Sequence, residues 1–284
     1  MTIAGGTAQL GGTGGDQLYD GSTVTVTSGA FDLNDRNETV STLNLAGTGI
    51  GSAGALVNTG TGTAVLTVTS GITLTANASI GATTSNGRVQ LVNAIGGAFA
   101  LAKVGNGTLD LGGASTYSGG TSLNAGTTLV NASSTGTPGS PTNGEFGTGT
   151  VTLNGGAIRA GSTGGTRTVG NTVTLSADTT IASSGVAAND QALTFTGPMT
   201  ISGASRALTS NSGADTTFGG AIGGAAGLGL TFNATSTGKF ILSGTNTFTG
   251  ATAISGGTLT AGAAGALGAT SGITVNSGGT LLLG

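Results

Sequence analysis

The chain has no cysteine, no histidine and no tryptophan, and its 284 residues include only 3 prolines, 7 basic and 10 acidic side chains. Each absence excludes a chemistry. Without His or Cys there is no Ser-His-Asp triad, no thiolate nucleophile and no usual zinc site. Without Cys no disulfide can form, so an exported form must hold together unstapled. A net charge of −3 with sparse Lys and Arg leaves no electrostatic footprint for nucleic acid and no polybasic membrane patch. Scarce proline, and 59 glycines without a three-residue period, exclude collagen. Disorder couples low hydropathy to high charge, whereas here the mean hydropathy is +0.28. Long apolar runs are missing too: the stretch around Gly219 to Leu230 is mostly Gly and Ala, too poor in large side chains to span a bilayer. Met1 to Gly6 lacks the basic region and apolar core of an export signal, and the last residues, Leu281 to Gly284, follow a strand-like run directly. The sequence reads as an excerpt of a longer protein.

What is present is short strands. No sustained helical stripe survives the glycines. Instead, alternating runs recur between Gly, Asn and Ser: Thr23-Val24-Thr25-Val26-Thr27, Leu66 and Val68, Ile72 and Leu74, Val89 and Leu91, Leu109 and Leu111. Val151 and Leu153, Val173 and Leu175, Leu193 and Phe195, and Ile273 and Val275 continue the series. One face is aliphatic and the other is mostly Thr, Ser or Asn, the signature of half-buried strands.

A sandwich or closed barrel would show longer strands joined by hairpin turns. Asn106-Gly107 and Asn143-Gly144 are present, but neither joins two matched alternating runs. Stacked coils account for the pattern better, each strand pairing with its equivalent one coil above. Glycine supplies the corners, and outward Thr and Asn can form ladders from coil to coil. At about 4.8 Å per coil and about 20–25 residues per coil, the rod would be roughly 55–70 Å long. The expectation is an all-β chain in which residues 1–284 form one continuous β-solenoid.

Two segments align with a 131-residue offset: Gly107 to Thr127 and Gly238 to Thr258. Gly, Thr and aliphatic positions coincide, and Tyr117 falls on Phe248. Admitting Thr128 as one extra residue then brings Leu129 opposite Leu259. The related units run near 103–160 and 238–284. The shared pattern G-x-L-x-L-x-G-x-x-T-[YF]-x-G-x-T-x-[LI]-x-x-G-T resembles the autotransporter-associated β-strand repeat of bacterial passenger domains. Ser28 to Asn34, followed by Thr42 to Gly49, resembles the segments that precede such repeats. The resemblance implies a right-handed parallel β-helix displayed outside a Gram-negative cell, with the repeat tied to passenger folding and secretion. The family's export signal and C-terminal membrane barrel are not in these 284 residues. Any membrane link would run through an anchor or translocator outside them.

Few residues invite a chemical role. Gly11 to Tyr19 fits the calcium nonapeptide G-G-x-G-x-D-x-U-x, but the next nine residues do not repeat it, and a lone copy cannot complete a coordination shell. Asp32, Asp35, Arg36 and Glu38 form the densest charged cluster. A glycan-processing site would use paired carboxylates there, but Asn34-Asp35-Arg36-Asn37 reads as a turn carrying solvated charges. Tyr117 and Phe248 suit a sugar platform less well than a repeated structural position. A segment near 131–148, with Pro138 and Pro141 and no alternation, reads as a projecting loop and as the first place to seek a binding surface. No catalytic, cofactor-binding or metal-ligating residue emerges. The functional expectation is a non-enzymatic structural module: adhesin stalk, passenger scaffold or component of an extracellular fibre. A polysaccharide-binding or polysaccharide-processing β-helix is the alternative, and Thr-x-Thr pairs are too unevenly spaced for an ice-binding face. A host-surface or glycan ligand is left open. Solenoid ends expose strand edges, so end-to-end self-association is expected of these residues alone.

Overall fold

The structure, a computed structural model, describes residues 1–12, 15–161 and 163–284. Among them there is no α-helix; two single 3-10 turns, Ile50–Ser52 and Ala187–Asn189, interrupt a succession of β-strands. Among the described residues no helix is long and apolar enough to cross a membrane. The chain falls into two compact units. The first comprises Met1–Ala132 and Thr142–Gly149, the second Ser133–Pro141 and Thr150–Gly284.

Both units are parallel β-solenoids. In the first, Val24 pairs with Leu43, Leu43 with Ile72 and Ile72 with Ile95, always in parallel. A second face stacks Leu66, Leu91, Leu111 and Val130, and a third stacks Phe31, Leu56, Ile80, Lys103 and Leu123. These residues are at most 2 % exposed, so the three columns converge on one interior. Register partners are 19 residues apart between Val24 and Leu43 and 29 apart between Leu43 and Ile72, so corners absorb the varying coil length. The short strands expected from the sequence are exceeded at Thr63–Ala82, a continuous 20-residue strand. Its partner Glu38–Gly47 shows why: register shifts at Val40/Thr42 and Leu45/Gly47 are bulges that bend a strand around a corner without ending it.

The second unit repeats the scheme. Val151, Val173, Met199 and Ile222 stack in one column; Val169, Phe195, Phe218, Leu242 and Ala261 stack in another. Phe195 and Phe218 lie almost parallel at 5.2 Å, and Phe240 continues the stack at 6.3 Å from Phe218. Outward positions in register form hydroxyl columns, Thr152–Thr174–Thr200 and Thr168–Thr194–Thr217. In the last coil Ile273–Val275 and Gly279–Leu283 pair with Thr252–Ala261 and stay open to solvent: Leu282 is 47 % and Leu283 75 % exposed.

Candidate functional site

The two repeat copies make matching three-dimensional contacts, with Ser115, Tyr117 and Thr121 standing 131 residues before Asn246, Phe248 and Thr252. Ile95 and Ile222 each open a strand of sequence Ile-Gly-Gly, and each donates its backbone N–H to a buried side chain of the next coil. The acceptor is Ser115 Oγ at 3.1 Å in the first unit and Asn246 Oδ1 at 2.7 Å in the second. Tyr117 and Phe248 follow, both 0 % exposed, so neither ring offers a sugar platform. Next come the buried hydroxyls of Thr121 and Thr252. Thr121 Oγ1 lies 2.6 Å from the Tyr117 hydroxyl and donates to Phe146 O at 3.1 Å; Thr252 Oγ1 meets Thr270 Oγ1 at 3.2 Å. Gly147 and Gly268 share φ 63°, and a Cβ at either would press on the carbonyl of the matching aromatic, 2.2 Å from Tyr117 O and 2.8 Å from Phe248 O.

Register also corrects the sequence alignment. Leu109 pairs with Thr128 and Leu111 with Val130; Phe240 pairs with Leu259 and Leu242 with Ala261. The offset therefore stays at 131, with no extra residue. Thr128, 1 % exposed, occupies the inward place of Leu259, and its Oγ1 finds no hydrogen-bond partner.

The two copies differ in length after the aromatic position. Ser115 N donates to Gly144 O at 2.8 Å, across 29 residues; Asn246 N donates to Gly265 O at 3.0 Å, across 19. Thr148 N to Tyr117 O and Ala269 N to Phe248 O show the same difference of ten residues. The first copy thus carries a ten-residue insertion within the segment 131–148. Thr135–Thr137 is exposed along its length, whereas Glu145 and Phe146 return to 1 % exposure. Glu145 stands where the second copy has Ala266, equally buried. Its Oε2 accepts the backbone N–H groups of Asn131 and Ala132 at 3.0 and 2.8 Å, while Oε1 has no partner. Burial, helped by the charge of Asp110, raises the Glu145 carboxyl well above its ordinary range, although the backbone N–H groups of Ala132, Asn131 and Leu111 oppose the shift. Asn131 Nδ2 donates to Asp110 Oδ1, and Asp110 Oδ2 is ion-paired with Arg88.

A second unexpected charge is Lys103, fully buried between Ile80 and Leu123. By register it matches Phe232, since Lys103 faces Leu123 as Phe232 faces Ile254. Its Nζ donates to Val104 O, Gly105 O and Ala125 O at 2.9, 2.7 and 3.0 Å. Burial nevertheless pushes the ammonium down to about 8.

The charged cluster read from the sequence does form a turn, with Asn34 at φ 46° and Asp35 at φ 61°. Its carboxylates, however, are acceptors within the coils; Asp32 and Glu38 are only 1 and 2 % exposed. Asp32 takes Gln9 Nε2, Asn34 N and both Thr59 N and Oγ1; Asp35 takes Asn58 Nδ2, Thr61 N and Gly62 N. Glu38 accepts Gln17 N and Leu18 N, and it is raised by burial and by the neighbouring Asp16. Thr13 and Gly14 of the calcium-like motif lie outside the described residues. Asp16 Oδ1 is engaged by Thr39 N at 3.2 Å, and among the described residues no group of acidic side chains is arranged to hold a metal. A shallow groove of about 230 Å³ runs past Asn77, Ser79, Ala102 and Ser122, and its lining carries no ionisable group.

What these contacts define is a repeat module of a parallel solenoid, its buried polar groups spent on joining one coil to the next. The passenger-associated-transport-repeat family matches residues 101–130 and 232–261, again 131 residues apart, and the chain carries two copies of that repeat. Solenoid and repeat together fit an autotransporter passenger domain, a class of secreted or surface-exposed Gram-negative proteins. The matched segments cover about a fifth of the chain. No curated protein and no solved structure matched it.

Proposed function

We propose that this chain is a non-catalytic structural module of a secreted or surface-displayed bacterial protein, acting as stalk or scaffold. The observation that carries this reading is the use made of the polar side chains. In the two repeat copies the buried Ser115, Thr121, Asn246 and Thr252 bind backbone or hydroxyl partners in the neighbouring coil. The acidic turn residues of the first coils do the same. Side chains committed in this way hold coils together and are not free to meet a substrate. The insertion within 131–148 is where a ligand-contacting surface is carried, because it departs from the repeat without disturbing the contacts at its base.

The test has two arms. A panel of acidic and neutral glycans is incubated with the chain and assayed for cleavage and for binding; no turnover is expected. A reproducible activity that a single substitution abolishes would replace the scaffold reading with the polysaccharide-processing alternative. In the second arm, deletion of one repeat copy from the displayed protein should lower surface display or adhesion without removing any turnover.

A further inference from the structure

We propose that Glu145 is a proton-operated latch, whose neutral carboxyl ties the exit of the strand Thr127–Val130 to the returning end of the inserted segment and whose ionisation releases them. The argument starts from what the insertion brought with it. Three positions that are apolar or glycine in the second copy are polar in the first: Ile241 is replaced by Asp110, Gly262 by Asn131 and Ala266 by Glu145. All three converge in the first unit. Asn131 is the hub, its amide N–H on Glu145 and its side chain on Asp110. A plain repeat needs none of them, because Ala266 fills the same buried place without a hydrogen bond from its side chain.

The carboxyl is suited to hold one proton. Oε2 takes both backbone donors, and Oε1, buried and without a partner, is where the proton resides. The titratable groups facing it are Asp110 on the strand Thr108–Leu111 and the Tyr117 phenol, and Arg88, on the strand Arg88–Leu91, reaches Asp110. Arg88 is paired with Asp110, so it offsets that charge and leaves none over for Glu145. The Tyr117 hydroxyl is engaged with Thr121. Ionisation therefore places a second carboxylate beside Asp110 in a site without solvent, and the proton leaves to water.

Burial, the largest influence on this group, raises its pKa. The sign follows: a carboxyl that binds its proton more tightly when folded stabilises the closed base fully below the ordinary glutamate value. That contribution is lost as pH rises through the raised one. The measurement is amide hydrogen exchange at Asn131 and Ala132 in the whole chain between pH 5 and 9, corrected for intrinsic rates. Protection should fall by about tenfold for each pH unit between the ordinary glutamate value and the raised one, and level off above it. In E145Q, whose amide oxygen still accepts both N–H groups but cannot ionise, protection should stay level. The Glu145 carboxyl carbon, followed by NMR in the unsubstituted chain, gives a readout independent of that variant. Titration at the ordinary glutamate value, pH-independent protection in the native chain, or an unchanged pH response in E145Q would each overturn the latch.

Discussion

Lys103 offers the most direct test of the interior. An ammonium that titrates near 10.5 in the unfolded chain and about 8 in the folded one makes the unfolded state the stronger proton binder between those values. Stability must therefore rise with pH across that window, the opposite of the latch at Glu145. Its three carbonyl acceptors explain how a charge is tolerated in the column Phe31–Leu56–Ile80–Lys103–Leu123 at all. They do not replace bulk hydration. Referred to neutral pH, the linkage is worth about 2 kcal/mol by pH 9.5. Above pH 10 the Tyr117 phenol works the other way: burial raises it, so an unfolded chain ionises its tyrosine before the folded one does. The useful range is thus pH 7.5–9.5. Urea midpoints in this range should climb for the native chain relative to K103M, in which the contributions of Glu145 and Tyr117 are the same. K103M keeps length and apolar contact but cannot titrate, and at pH 7 its fate depends on how the three freed carbonyls repack. The decisive quantity is the slope. A native profile that runs parallel to that of K103M would refute a desolvated ammonium at this position.

Two further outcomes are expected. Ser115→Ala should cost about 1–3 kcal/mol by orphaning the Ile95 N–H, and Asn246→Leu should do the same to Ile222; thermal or urea unfolding measures both, and losses below about 0.5 kcal/mol would remove these residues from the coil-joining set. Because Ile273, Val275, Leu282 and Leu283 stand 44–75 % exposed on the last coil, the isolated chain should self-associate through these strands. Light scattering showing a monomer at high concentration would refute that.

The fold was legible where side chains alternate. Val24 and Val26, Leu109 and Leu111, and Val173 and Leu175 point inward as their spacing requires. The repeat was legible too, because Gly, Thr and the aromatic at 117 and 248 keep their spacing. What escaped were residues whose type contradicts their place. Lys103 alternates with Leu101 yet reads as a surface charge, since nothing local announces three carbonyls converging on one nitrogen. Thr128 reads as an insertion because a hydroxyl is not expected at an inward position, and only the register with Leu109 settles it. Glu145 follows a Pro/Gly-rich stretch, and its burial depends on Asn131 and Ala132, 14 and 13 residues away. Asp32 and Glu38 were legible as turn neighbours, but not as acceptors for coils about 20 residues distant, which stacking alone brings near.

The sparse aromatics noted at the outset also decide how this molecule can be watched. Its only two tyrosines, Tyr19 and Tyr117, both belong to the first unit, and with no tryptophan the second unit contributes only phenylalanine to the near-ultraviolet. Tyr19 is 82 % exposed and Tyr117 is sealed inside, so one phenol reports solvent and the other reports melting. Emission excited at the red edge of tyrosine absorption is therefore a reporter for half of the chain. Circular dichroism of the peptide bonds sums both halves, and any gap between the two melting curves measures how independently the units unfold.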